Sequence, residues 1–358
     1  MPRESLSCNE AQTALAEIKS LKTEFDRALE DAIRTGELER ARTLRSGLES
    51  RMKELREGLI SPVEKKLDLK RQYEFDRQIL EGTGILERLS SGSHGIRGID
   101  GKGYPIPSYQ EVRGLIREKR DILEKKAEQG FTKLLIVPFG MKLDDLLLKY
   151  KTLILKHKEE GKLFKTKGKD TDPDEPLDLD TDEPVYTWNE YQGADLNGKL
   201  VYDPKEFSQN HGGKTKTEIL AAAQGASSPA WRIVLIEADP NIPRSGRGKS
   251  VGGRPRIEAN KTPNEYLETI GKNEYQGESG TTPEEWLTQA IMALEEKNQA
   301  IDDYQGNGSA TYNTGAYFPA SGDVPGACWG RDLRQARLSR DDPTARGGSI
   351  GARSAVRV

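Results

Sequence analysis

The chain has 358 residues, 34% apolar and 32% charged, with 55 basic against 58 acidic side chains and a formal net charge of −3. That balance gives no electrostatic footprint for nucleic acid or an anionic membrane surface, and no apolar run approaches the roughly 20 residues that span a bilayer. The cysteines, Cys8 and Cys328, are too few and too far apart in sequence for a disulfide framework. The opening Met-Pro-Arg-Glu-Ser-Leu-Ser-Cys8 lacks the apolar stretch of a secretory signal. A cytoplasmic location is therefore expected, with export or surface display by another route left open.

Apolar residues Ala14, Ile18, Leu21, Phe25, Ala28 and Ala32 step by fours and threes. After Thr35-Gly36 the pattern resumes at Leu38, Ala41, Leu48, Met52, Leu55 and Leu59, with Arg45 at one seam position. These are the seams of two helices joined by a tight turn. Residues 1–88 thus read as an antiparallel helical hairpin (coiled coil), a stalk or oligomerisation arm that would self-associate through residues 14–59. Pro62 stops the second helix and residues 63–80 form a third. Residues 82–107 are glycine-rich and turn-forming.

Residues 89–169 are expected to be a small α+β region. A helix over 108–128 starts at Ser108, with Glu111 placed to complete a capping box. The apolar run Phe131-Thr-Lys-Leu-Leu-Ile-Val137, ended by Pro138, reads as a buried strand, and residues 143–157 as an amphipathic helix. Residues 170–184 are acidic and proline-containing and read as a linker. Asp178, Asp180 and Asp182 match the first three ligand positions of an EF-hand loop, but Glu183 and Asn189 stand where that loop needs glycine and glutamate. Calcium is therefore not expected.

Residues 185–256 continue the middle region with short strands near 185–188 and 200–202 and a stronger one at 231–236. Residues 242–256 form a Gly/Arg/Pro loop carrying Arg244, Arg247, Arg254 and Arg256, read as a basic surface. Within it, Gly248-Lys249-Ser250 resembles the end of a phosphate-binding loop, yet Pro243 occupies the position of that loop's first glycine. His94, His157 and His211 are scattered, with no partner at metal-ligand spacing, so no zinc site or histidine triad is expected. No metal, cofactor or catalytic residue is predicted anywhere. Thr262-Pro263 and Thr282-Pro283 are strong helix starts opening the segment 257–358.

Residues 298–358 contain neither lysine nor glutamate; all their charge is Arg and Asp. They are rich in Gly, Ser, Asn, Tyr and Arg, residues favoured in binding loops. Asp302-Asp303 reads as a helix-to-loop junction held by side-chain bonds to backbone. Arg331, Arg334, Arg337 and Arg340 recur every three residues among glycines and prolines that favour loops. Residues 350–358 alternate Ile350, Ala352, Ser354, Val356 and Val358 on one side against Arg353 and Arg357 on the other, the pattern of one half-buried strand.

The run Trp329-Gly-Arg-Asp-Leu-Arg-Gln-Ala-Arg337, then Arg340-Asp-Asp-Pro343, then Ile350-Gly-Ala-Arg-Ser-Ala-Val-Arg-Val358 resembles the end of a C-type-lectin-type fold. The version it resembles occurs in formylglycine-generating enzymes and in the variable proteins of diversity-generating retroelements. The resemblance implies a C-type-lectin-like domain over 257–358, and with it the fold class is α+β: helical hairpin, middle α+β region, lectin-like domain. The enzyme branch implies an oxidase that uses two cysteines with copper; the segment offers only Cys328. The retroelement branch implies a surface diversified through adenine-directed mutation of Asn-type codons, which reaches Asp, Gly, Ser, Arg, Leu, Thr, Ala and others but not Lys, Glu, Gln, Met or Trp. Within residues 330–349 only Gln335 falls outside the reachable set.

That branch implies a non-enzymatic protein binding a macromolecular ligand, itself a protein, and not nucleic acid. Its variable surface would be Gly330, Arg331, Asp332, Leu333, Leu338, Ser339, Arg340, Asp341, Asp342, Thr344, Arg346, Gly347 and Ser349, with Tyr312 and Tyr317 as anchors. An oxidase using Cys328, a scaffold built on the coiled coil, and an ordinary fold-determined tail remain the alternatives.

Overall fold

The computed structural model describes residues 8–35, 39–59, 61–169, 171–226, 228–304 and 306–358. The fold is mixed α+β with helices at its N-terminus. It divides into two compact units, Met1–Asp68 and Leu69–Val358.

The first unit is α1 (Cys8–Thr35), α2 (Glu39–Leu59) and α3 (Pro62–Leu67). Ala28 and Ala32 of α1 meet Ala41 of α2 in a small buried cluster, with Phe25 and Leu44 packed against it. Alanines at these steps let the backbones approach closely at the closed end of the hairpin. Further out, Ile18 and Leu21 are only half-buried and Met52 is exposed. Of the expected seam positions Ala28, Ala32 and Ala41 are buried together, and in α2 Leu44 packs beside them while Arg45 points outward to Glu49. Gly36 and Leu38, and the side chains of Ala14, Leu55 and Leu59, lie outside the described residues. Ser61 and Glu64 form a reciprocal capping box with Pro62 at the first helical position, so the proline starts a new helix as well as ending the old one.

The second unit opens with α4 (Leu69–Gly82) and a small meander, β1 (Glu87–Arg88), β2 (His94–Arg97) and β3 (Gly103–Pro105). Residues 108–128 form two helices, α5 (Tyr109–Glu118) and α6 (Arg120–Glu128), divided at Lys119; the Ser108–Glu111 capping box is present. Next come β4 (Phe131–Val137) and α7 (Leu143–Glu159). The middle continues with β5 (Val185–Thr187), β6 (Val201–Tyr202), β7 (Lys214–Thr215), α8 (Lys216–Ala222), β8 (Arg232–Glu237) and the ribbon β9 (Ser250–Val251) and β10 (Arg254–Pro255). Helices α9 (Pro263–Ile270) and α10 (Pro283–Lys297) start at Thr262 and Thr282, each with a complete capping box, and β11 (Ser279–Gly280) lies between them. The tail supplies β12 (Asp303–Tyr304), β13 (Ala310–Tyr312), β14 (Ala316–Tyr317), β15 (Val324–Gly330), β16 (Gln335–Asp341), β17 (Ile350–Ala352) and β18 (Ser354–Arg357).

Two sheets organise this unit. One runs β11-β18-β8-β4; the other runs β17-β13-β15-β16-β5, with β12 added in parallel to β15. Strand β4 is apolar without alternation because α4, α6 and α10 all pack on it. Helix α10 is buried over most of its length and touches α7, β4 and β15, so it is the core element between the two sheets. Its Trp286 stacks edge-on against Tyr150 of α7 and donates to Asp302 at 2.7 Å.

The segment boundaries suggested by composition do not coincide with sheets. Strand β8 of the middle region pairs with β18 of the tail, β5 with β16, and β6 with β14. The acidic stretch is tied down as well: Leu177 and Leu179 are buried, and the Asp180 amide donates to the Arg334 carbonyl at 2.8 Å. Residues 350–358 are two strands in different sheets rather than one. The break falls at Arg353, whose guanidinium is drawn in to Asp302 and the Pro240 carbonyl. Among the described residues no helix is long and apolar enough to cross a membrane.

Candidate ligand-binding surface

The surface expected to vary is carried by the β15–β16 hairpin, whose register runs from Val324↔Asp341 to Gly330↔Gln335. Seven paired positions at about 3.4 Å each separate its two ends by roughly 20 Å. The expected residues therefore fall into two groups instead of one face. At the tip, residues 331–334 form a turn closed by the Arg334 amide on the Arg331 carbonyl, with Arg334 at φ 53°. Asp332 and Leu333 are exposed there, Leu333 at 49%. Arg331 is half-buried and clamped two-pronged on the buried Asp303 at 2.6 Å per bond.

At the other end, Arg340 grips the buried Asp323 carboxylate at 2.8 and 2.9 Å and lies over the Trp188 ring, 4.9 Å from its centroid. Burial, aided by Asp323, pushes the neighbouring Asp341 carboxyl up to about 6, against the pull of Arg340 and Arg337. Asp342 caps the next turn by accepting from the Thr344 amide at 2.7 Å and hydroxyl at 2.5 Å. Arg346 reaches Glu265 at 2.6 Å. Ser339, Gly347 and Ser349 are half-buried, and Ser349 accepts the Ala310 amide through its carbonyl.

Four expected contact residues belong to the frame. Leu338 and Tyr312 are fully buried, Tyr317 nearly so, and Gly330 is buried in β15. Tyr312 packs on Tyr266 and spends its hydroxyl on the Ala345 carbonyl; Tyr317 packs on Phe207 and His211. No ligand reaches such side chains without unfolding the sheet. The sequence treated aromatic residues beside glycine as binding anchors, whereas here they fill the space under short strands.

Cys328 sits in β15 opposite Arg337. Burial pushes its thiol up to about 12 despite that guanidinium. It is the only cysteine of the unit Leu69–Val358. A thiol held protonated at neutral pH is a poor nucleophile and metal ligand.

Sequence reasoning missed the carboxylates beneath this surface. Asp302 takes Arg353 and the Trp286 indole; Asp303 takes Arg331. The signal was present as an Asp-Asp pair in an arginine-rich tail. Each aspartate is matched to an arginine fork, not to backbone as expected.

The Gly/Arg/Pro loop is also partly structural. Arg254 is fully buried between Glu278 and Glu237, and Arg256 pairs with Glu237 and Asp239. The amides of Gly246 and Gly248 both donate to Glu258. The backbone that would cradle a phosphate already holds one of the protein's own carboxylates. Arg244, Arg247 and Lys249 remain exposed beside a cleft of about 590 Å³ lined also by Gly306 and Asn307. A second cleft of about 520 Å³ shares Gly306 and Asn307 and ends at Arg331, but its Lys165 and Lys167 are paired with Glu175 and Asp174. No protein-family model, curated protein or solved structure matches this chain.

Proposed function

We propose that this chain is a non-catalytic binding protein whose segment 257–358 is a C-type-lectin-like module presenting an exchangeable surface to a macromolecular ligand. The observation that carries the reading is the separation between frame and turns. Asp332, Leu333, Asp342, Thr344 and Arg346 are exposed and lie in the turns and loops that follow β15 and β16, while the strands between them are held by β12, β13 and β5. Substitution in such turns costs little stability, which is what repeated diversification requires. The reading drops Tyr312, Tyr317, Leu338 and Gly330 from the contact set and keeps the turn residues. The oxidase alternative draws no support from Cys328, which lacks both a second cysteine in its unit and a reactive environment.

Self-association through residues 14–59 is part of the same proposal. Leu15, Leu29 and Ile33 of α1 and Met52 of α2 expose apolar side chains, Ile33 by 78%, and a second hairpin would cover them.

The coding DNA tests the reading. A nearby imperfect copy of the 3′ stretch, differing only where the copy carries adenine, is expected together with a reverse-transcriptase gene. Absence of both removes the diversification claim. Replacing Cys328 with serine is expected to leave ligand binding unchanged, whereas loss of an oxidase activity in that variant contradicts the non-catalytic reading.

A further inference from the structure

Strand β5 is the outer strand of the six-stranded sheet. In a parallel ladder, alternate residues turn their main-chain groups to the partner. The Ala336 amide donates to Pro184 and the Trp188 amide to Leu338, so Pro184, Tyr186 and Trp188 face β16. The N–H and C=O groups of Val185 and Thr187 then face the opposite way. No helix, strand or loop of the described residues pairs with them. Natural sheets blunt such edges with charge, proline or a covering element. Here the edge opens onto a cleft of about 360 Å³ whose far wall is α7.

That wall carries two apolar and two charged side chains. Leu147 and Leu148 line it, and Leu148 is 59% exposed. At the end of the edge strand Trp188 contacts Arg340 and, edge-on, Phe318 at 5.1 Å centroid to centroid, and it also lines the cleft. Lys151 of α7 also lines the cleft and has no carboxylate partner among the described residues. Asp144, by contrast, is engaged with the Gly193 amide at 3.0 Å.

We propose that the cleft between β5 and α7 binds an extended peptide segment of a partner protein, which adds a strand to the sheet at β5. Main-chain donors and acceptors two residues apart match the spacing of an extended peptide backbone. Leu147, Leu148 and Trp188 take an aliphatic side chain of that peptide, and Lys151 takes an acidic one. This groove lies outside the turn residues assigned to the exchangeable surface, so it stands or falls independently of that assignment.

The test is selection of a phage-displayed random hexapeptide library on the full-length chain. Enriched peptides are expected to alternate apolar and acidic residues. A synthetic copy of the best one should bind about tenfold more weakly to Leu148→Glu, which alters an exposed side chain and leaves the core intact. N-methylation of the peptide at alternate positions should weaken it by a similar factor, and hydrogen exchange of the Val185 and Thr187 amides should slow on binding. The proposal is overturned if no peptide distinguishes the wild-type chain from Leu148→Glu, or if N-methylation at every position is harmless. It is equally overturned if the unliganded chain forms a dimer that Leu148→Glu dissociates, since a second copy then occupies the groove.

Discussion

Arginines in the last residues of the chain divide into two kinds. Arg353 and Arg357 expose 10% and 20% of their side chains, against 52% and 51% for Arg334 and Arg346. Arg353 grips the fully buried Asp302, and Arg357 joins the buried Glu285 to Asp203 while also donating to the Gly280 carbonyl at 3.0 Å. The planar guanidinium fork suits such multidentate work, and a lysine cannot reproduce it. So the missing lysines of residues 298–358 have two sources. One is a frame that needs arginine forks over buried carboxylates; the other, on the proposed function, is a set of turns open to exchange.

The contrast breaks most visibly at Arg357. Arg357→Ala leaves Glu285 buried without its main partner and is expected to cost on the order of 3–5 kcal/mol in urea unfolding, with Arg357→Lys recovering only part. The same alanine change at Arg346 should leave the midpoint where it was. Equal effects at the two positions would erase the distinction between frame and turn.

A smaller effect is expected from Asp76 in α4, which lies under the frame. It is fully buried, and burial pushes its carboxyl up to about 8 against the pull of Lys133 and of the Ile136 backbone. Folding therefore tightens its proton, so the penalty is absent below about pH 4 and grows as pH rises towards 8. Wild-type stability should fall over that window. Asp76→Asn, measured by urea unfolding at pH 5 and pH 8, should flatten the fall by about 2–3 kcal/mol. An unchanged slope would mean that Asp76 is ionised in the folded protein.

Much of the architecture was legible from local signals. The Ser108, Thr262 and Thr282 helix starts and the β4 strand follow from capping chemistry and an unbroken apolar run, both properties of a few adjacent residues. What was not legible depends on distant partners. Nothing near Arg254 announces Glu278, and nothing near Arg331 announces that Asp303 lies beneath it; these arginines read as surface charge until the chain closes around them. The same holds for residues 350–358, where alternation gave the strand character but not the switch of sheets at Arg353. Tyr312 and Tyr317 were misplaced because composition does not say which side of a strand faces water.

The most direct test randomises Asp332, Leu333, Asp342, Thr344 and Arg346 together and measures thermal unfolding across the resulting clones. Most clones are expected to unfold cooperatively within a few degrees of the parent, and selection from the pool should yield binders to a chosen protein target. If most clones instead fail to fold, these turns are part of the frame and the exchangeable surface does not exist.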